Sequence, residues 1–230
     1  AGLDVQYGAH YKAYFRIFSR CGLPVIVVGA DSGMMGGKIS HEYMYLSSIG
    51  EDTIITCPKC GYTANRQVAT FKKTYYPEPM KPTEKVLTPD CKTIEELADF
   101  LKIEKRQTAK AVFMVGTFIN DTNGEEEDKL IVGIIRGDLE VEENKLQNAA
   151  RANVLRPAHA EEILAKKMVP GYGSAIGCSE DVVVIVDDSV AKSNNLVAGA
   201  NEEGYHLLNT NFGRDYTGLT ADIASAAAGY

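Results

Sequence analysis

A lysine, a carboxylate and a histidine stand out in the second half of this chain. Lys110 opens an apolar run, Asp187 closes another, and His206 follows the turn Gly199-Ala200-Asn201. Between the first two lies a glycine-rich segment, Val169 to Gly177, that carries Gly171, Gly173 and Gly177. Glycines at a strand-to-loop junction let backbone N–H groups come close to a ligand. A cation, an anion and an imidazole set around such a loop could hold a small polar substrate. Ser174 and Cys178 flank the loop, but neither has an adjacent base in the sequence, so neither is assigned as a covalent nucleophile.

The elements that must position these residues can be read from periodicity. Apolar residues at helical spacing predict a helix over 7–21. Val25 to Val28, Tyr43 to Leu46 and Thr53 to Thr56 read as strands. Gly36 and Gly37 punctuate a loop. Four prolines between residues 75 and 90 give that stretch linker composition. Thr93-Ile-Glu-Glu96 is a capping box, predicting a helix to about Lys102. Lys110 to Val115 and Leu130 to Ile135 read as strands, with a solvated acidic loop, Asn120 to Asp128, between them. Glu142 to Arg151 and Ala158 to Met168 read as helices, Val182 to Val186 and Tyr205 to Leu208 as strands, and the alanine-rich Ala221 to Ala228 as a helix. Strands and helices mix without strict alternation, which predicts an α+β fold with a mixed sheet.

Composition narrows the functional classes. The chain has 230 residues, with 31 acidic side chains against 24 basic ones and a net charge of -7. A protein that coats nucleic acid is usually basic, so any RNA contact here must be local. Candidate patches are Lys102, Lys105, Arg106 and Lys110, and separately Lys72 and Lys73. No run approaches the ~20 apolar residues of a membrane helix, and nothing resembles a signal peptide. Five cysteines at irregular spacing fit reduced thiols and a cytoplasmic location. Cys57-Pro-Lys-Cys60 supplies two ligands where a structural zinc wants four, so bare thiols and no metal site are expected. The chain does not begin with Met and reads as a piece of a longer protein.

Several short strings, in order, resemble bacterial prolyl-tRNA synthetase. In the first part they are Ala13 to Leu23, Ala30-Asp-Ser-Gly33, Gly36-Gly37, Ser40-His-Glu42 and Gly50-Glu-Asp52. In the second they are Thr108-Ala-Lys110, Arg136-Gly-Asp138 with Asn144-Lys-Leu146, Asp187, Gly199-Ala-Asn201 with His206, and Asn211 to Asp215. The resemblance implies a YbaK-like, mixed-sheet editing domain inserted into a partial class II synthetase antiparallel sheet. It implies a partial class II core over 1–75, a linker over 76–90, the editing insertion over 91–212, and a return to the core over 213–230.

The activity implied is hydrolysis of alanine mischarged on tRNA(Pro), inside a proline–tRNA ligase. A pocket shaped for proline rejects the smaller alanine weakly, since each missing methylene is worth only ~1–3 kcal/mol. A second, smaller site then removes the error. On the resemblance, Lys110 anchors the tRNA end or the developing charge, Asp187 pairs with the substrate ammonium, and His206 positions the terminal adenosine or a water. Gly171, Gly173 and Gly177 wall the site, their N–H groups serving the oxyanion, and His41 and Glu42 lie near the aminoacylation pocket. Editing is expected to need no cofactor. ATP and magnesium would serve the parent enzyme, a homodimer, and aminoacylation is not expected from this chain alone. Two alternatives stay open: a non-catalytic tRNA- or partner-binding module, and a free-standing trans-editing deacylase.

Overall fold

The computed structural model describes residues 2–33, 37, 39–120 and 123–229. Gly36 of the Gly36-Gly37 pair and part of the 120–128 segment therefore lie outside the described residues. The chain divides into two compact units. One comprises the residues up to Ala69 together with Ala226–Gly229, and the other comprises Thr70–Ser225.

The first unit holds helix α1 (Gly2–Arg20) and strands β1 (Val25–Gly29), β2 (His41–Tyr45), β3 (Ile54–Thr56) and β4 (Thr63–Asn65). The sheet order is β2-β1-β4-β3. An antiparallel sheet was expected here. It is mixed instead, because β4 returns beside β1 in the same direction, with Gly29 opposite Ala64. Between β3 and β4 the chain turns through Cys57-Pro-Lys-Cys60. The N–H of Gly61 donates to the Cys57 carbonyl at 2.9 Å, and Gly61 takes φ +73°, a left-handed conformation that suits glycine.

The second unit opens with β5 (Glu84–Leu87) and α2 (Ile94–Leu101), and a 3-10 turn at Lys105–Gln107 follows. Next come β6 (Ala109–Ile119), β7 (Glu126–Arg136), α3 (Glu143–Ala150), β8 (Val154–Pro157) and α4 (Ala160–Ala165). The unit closes with β9 (Val183–Asp187), α5 (Asp188–Ala191), β10 (Leu196–Gly199), β11 (Tyr205–Thr210) and β12 (Leu219–Ala221). A five-stranded mixed sheet runs β12-β9-β7-β6-β8, and a separate three-stranded antiparallel sheet runs β10-β11-β5. Strand β7 is central and covered on both faces. Its Leu130, Val132 and Ile134 enter one core cluster and Ile131 and Ile135 the other. Each such side chain, fully buried, contributes roughly 1.5–3 kcal/mol, so this strand anchors the unit.

Two sequence expectations change here. Residues 76–90 are not a free linker, because they contain β5. The N–H of Tyr76 also donates to Ser193 Oγ at 3.1 Å, and Asn195 and Asn209 donate to the carbonyls of Pro79 and Pro82. The two compact units divide after Ala69 and again after Ser225. Residues 221–228 are not a helix. Ala221 ends a strand parallel to β9, and Ile223 and Ala224 are fully buried in the core. Tertiary packing overrides alanine's helix propensity there.

Candidate functional site

A cavity of about 310 Å³ opens in the second unit between α2, the start of β6 and the turn between β10 and β11. Lys110, His206, Gly171 and Gly173 line it, together with Thr93, Ile94, Glu95, Phe113, Glu140 and Gly199. The sheet register explains the meeting of distant residues. Gly199 of β10 stands opposite His206 of β11, while Lys110 of β6 stands opposite Ile135 of the anchored β7.

Lys110 donates from Nζ to Glu140 Oε1 at 2.7 Å, its side chain 20% exposed. A cation so placed faces the cavity and is steered by one carboxylate. His206 is buried, with Nδ1 2.7 Å from Thr88 Oγ1 and its ring 5.6 Å from that of Tyr172. Burial pushes the imidazole down to about 4, so the ring is neutral at pH 7 and serves as a hydrogen-bonding group, not a cation.

This burial has a consequence for stability. The unfolded chain takes up the proton near pH 6.5, whereas the folded chain resists it until about pH 4. The neutral ring's contribution is therefore complete above pH 6.5 and drains away as pH falls toward 4, by roughly 3 kcal/mol. Urea melts should show this loss between pH 6.5 and 4. A His206→Gln variant with an equally steep decline over that window would contradict it.

The first turn of α2 forms the facing wall. Thr93 accepts from Glu96 N at 3.2 Å, and Glu96 accepts from the N–H groups of Lys92 and Thr93 at 3.0 and 2.9 Å, completing the expected capping box. The unpaired N–H groups of a helix's first turn favour negative charge. This wall was not singled out from the sequence as part of the site, although its capping box was the visible signal.

The glycines act by allowing close packing. A Cβ on Gly173 would sit 2.4 Å from Phe113 Cζ, and one on Gly199 2.2 Å from the Tyr172 carbonyl oxygen. The N–H of Ser174, within the glycine loop, is already taken by Asn201 Oδ1 at 2.9 Å. The Ser174 N–H is therefore not available to a ligand, while Gly171 and Gly173 line the cavity. Gly177 does not line the cavity. Its φ of +72° places it in a turn.

Asp187 is the clear correction. It is fully buried and away from the cavity lining. Oδ1 accepts from Ser189 N at 2.9 Å, capping α5, and Oδ2 accepts from Ile223 N at 2.9 Å. Lys73 Nζ lies 2.7 Å from Asp187, 2.6 Å from Asp188 and 2.6 Å from Asp222. These three aspartates are the group best placed for a metal ion among the described residues. The Lys73 ammonium occupies the position a cation would take. Lys73, proposed as a surface RNA contact, is instead buried. Burial alone would lower the ammonium's pKa, but the three carboxylates outweigh it and hold Lys73 firmly protonated.

The remaining expected residues lie in the first unit. His41 Nδ1 is 2.8 Å from the Tyr7 hydroxyl and its ring packs at 5.4 Å against Tyr11. Glu42 is exposed on β2. The Cys57 thiol, hydrogen-bonded by the N–H groups of Cys60 and Lys59, is held below the ordinary thiol range. Thr88, Glu140 and Phe113 were missed. Thr88 follows β5, hidden in the proline-rich stretch, and Glu140 follows the Gly137-Asp138 turn with no motif of its own.

A family model described as the aminoacyl-tRNA editing domain matches residues 88–216, inside the second unit. The chain is 46% identical over 231 residues to a proline–tRNA ligase of Salinispora tropica, covering 100% of this chain and 38% of that protein. It is 45% identical over 230 residues to one of Dehalococcoides mccartyi, covering 99% and 38%. It is 43% identical over 219 residues to one of Bacillus cereus, covering 93% and 37%. The chain thus spans less than two fifths of the length of these curated relatives.

Proposed function

This chain belongs to the aminoacyl-tRNA editing domain family, and from that premise we propose that its cavity hydrolyses the ester joining alanine to mischarged tRNA(Pro). One observation carries the choice of alanine. Beside Lys110 lies a recess of about 10 Å³, lined by Ala109, Ala111, Ala175 and Ala198 together with Ile134, Gly173, Ser174 and Tyr216. It shares Ala109, Lys110, Ala111 and Gly173 with the larger cavity. A space of that size holds about one water-sized group. It takes a methyl side chain and turns away a pyrrolidine ring.

The chemistry follows from the groups present. The substrate ammonium pairs with Glu140, the role the sequence had given to Asp187. As water adds to the ester carbonyl, negative charge grows on its oxygen, and Lys110 and the first turn of α2 stabilise it. Collapse of this adduct breaks the ester C–O bond, and the proton given up by the water restores the hydroxyl of the departing ribose. Neutral His206, oriented through Thr88, hydrogen-bonds the terminal ribose or the incoming water. The protein supplies no covalent nucleophile in this reading. Hydrolysis is assigned no cofactor. ATP, magnesium and a homodimer belong, on the same reading, to proline ligation by a full-length protein in the cytoplasm.

The test is release of alanine from alanyl-tRNA(Pro) by this chain under single-turnover conditions. Release well above the spontaneous rate is expected, and a rate equal to the spontaneous one refutes the proposal. Capture of tRNA with the ester left intact would favour a binding module instead.

A further inference from the structure

The second unit has another cavity, of about 300 Å³, that the proposed hydrolysis leaves unused. Ile103, Leu196, Val197 and Leu208 give its lining an apolar part. At its side Arg106 lies with its guanidinium carbon 4.7 Å from the centre of the Tyr76 ring, Nη1 donating to the Tyr76 hydroxyl at 2.9 Å. Glu78 and Lys81, of the strap of residues 78–82, also line it. Asn194, Asn195 and Asn209 hold that strap by donating to the carbonyls of Glu78, Pro79 and Pro82. The cavity is therefore built rather than incidental, since three side chains are committed to its wall.

Its chemistry selects for a flat, uncharged ring. Arg106 is neutralised by Glu104 at 2.6 Å, and Lys81 has Glu78 at 3.9 Å. A rim of two cations and two carboxylates gives no net attraction for phosphate. An apolar lining beside a guanidinium plate is the surface on which unstacked bases rest.

The two cavities lie along the same two segments. Gln107 lines this one and Ala109 the first, and Val197 lines this one and Gly199 the first. Thr108 bridges directly to Val197. The two cavities therefore adjoin along these segments, as sites for neighbouring nucleotides of one unpaired strand would.

We propose that this second cavity binds an unstacked nucleobase of the RNA end whose terminal, aminoacylated residue enters the first. This rests on the hydrolytic reading of the first cavity, and two measurements separate the two claims. In the first, the chain is titrated with ribonucleosides and, separately, with inorganic phosphate, followed by NMR. Nucleosides should shift the Asn209 side-chain amide and the Arg106 Nε–H signals, and phosphate should not. Shifts with phosphate alone, or with neither, overturn the proposal whatever the chain does to esters.

In the second, kcat/KM is measured for alanyl-tRNA(Pro) and for alanyl-adenosine. Arg106→Ala should lower the ratio of the first to the second about tenfold, in line with loss of one base-stacking contact. An unchanged ratio contradicts the proposal, as does an equal fall in both values. If the unsubstituted chain cleaves neither ester, the hydrolytic reading fails, and the nucleoside titration still decides the binding claim.

Discussion

Replacing Lys110 by alanine is expected to slow alanyl-ester hydrolysis about 10²–10³-fold, the usual cost of losing one charge-stabilising group at a reacting oxygen. The melting temperature should barely move. Lys110 pairs with a Glu140 side chain that is 80% exposed, and such pairs are worth at most about 1 kcal/mol. The combination matters. A lysine that only propped up the fold would show the reverse pattern, lost stability with hydrolysis retained in the folded fraction. Rates on alanyl-tRNA(Pro) and a thermal melt, made on the same preparation, separate the two. A Lys110→Ala chain that hydrolyses at the original rate removes the lysine from the mechanism.

The second large effect is expected at Lys73. Its ammonium serves three carboxylates, one of them wholly shielded from water. Lys145 adds a second cation at Asp222, 3.0 Å away. Lys73→Met would leave Asp187 charged and buried with only its two backbone donors. Removing one partner of a buried pair costs about 3–5 kcal/mol, which for a unit of this size lowers the melting temperature by roughly 10 °C. Lys73 and Ile223 lie near the two ends of the second unit, and both donate to Asp187, where β9 passes into α5. The cluster therefore fastens the entering and leaving segments to the end of a core strand. A Lys73→Met chain that melts within 2 °C of the original would show that the cluster carries no such load.

Much of this arrangement was legible in the sequence, for identifiable reasons. The capping box at Thr93 to Glu96 is a local signal, and it forms as read. The β-branched and apolar runs of β1, β6, β7 and β9 are likewise local, and all are strands. Lys110, His206, Gly171 and Gly173 were named from the sequence, and the structure brings them to one cavity.

Asp187 shows where such reading stops. Its position after an apolar strand is the same whether it faces a substrate or caps a helix. What decides is Lys73, 114 residues away, and no spacing rule joins the two. Gly177 fails for a related reason, because a glycine required for φ +72° in a turn looks in sequence like one required for close approach. Other strings of the resemblance are structural. Arg136 and Asp138 bind each other at 2.5 and 2.9 Å, and Asp215 accepts from Asn211 N at 2.7 Å. Strand β5 was hidden by the prolines on either side of it, and with it Thr88, the partner that orients His206.

The claim on which the rest depends is selection by size in the alanine-lined recess. It is tested most directly by offering this chain alanyl-tRNA(Pro) and prolyl-tRNA(Pro) side by side and measuring kcat/KM for each ester. The recess predicts rapid loss of alanine with the prolyl ester left at its spontaneous rate. Equal cleavage of the two esters, or faster cleavage of prolyl-tRNA(Pro), would contradict it.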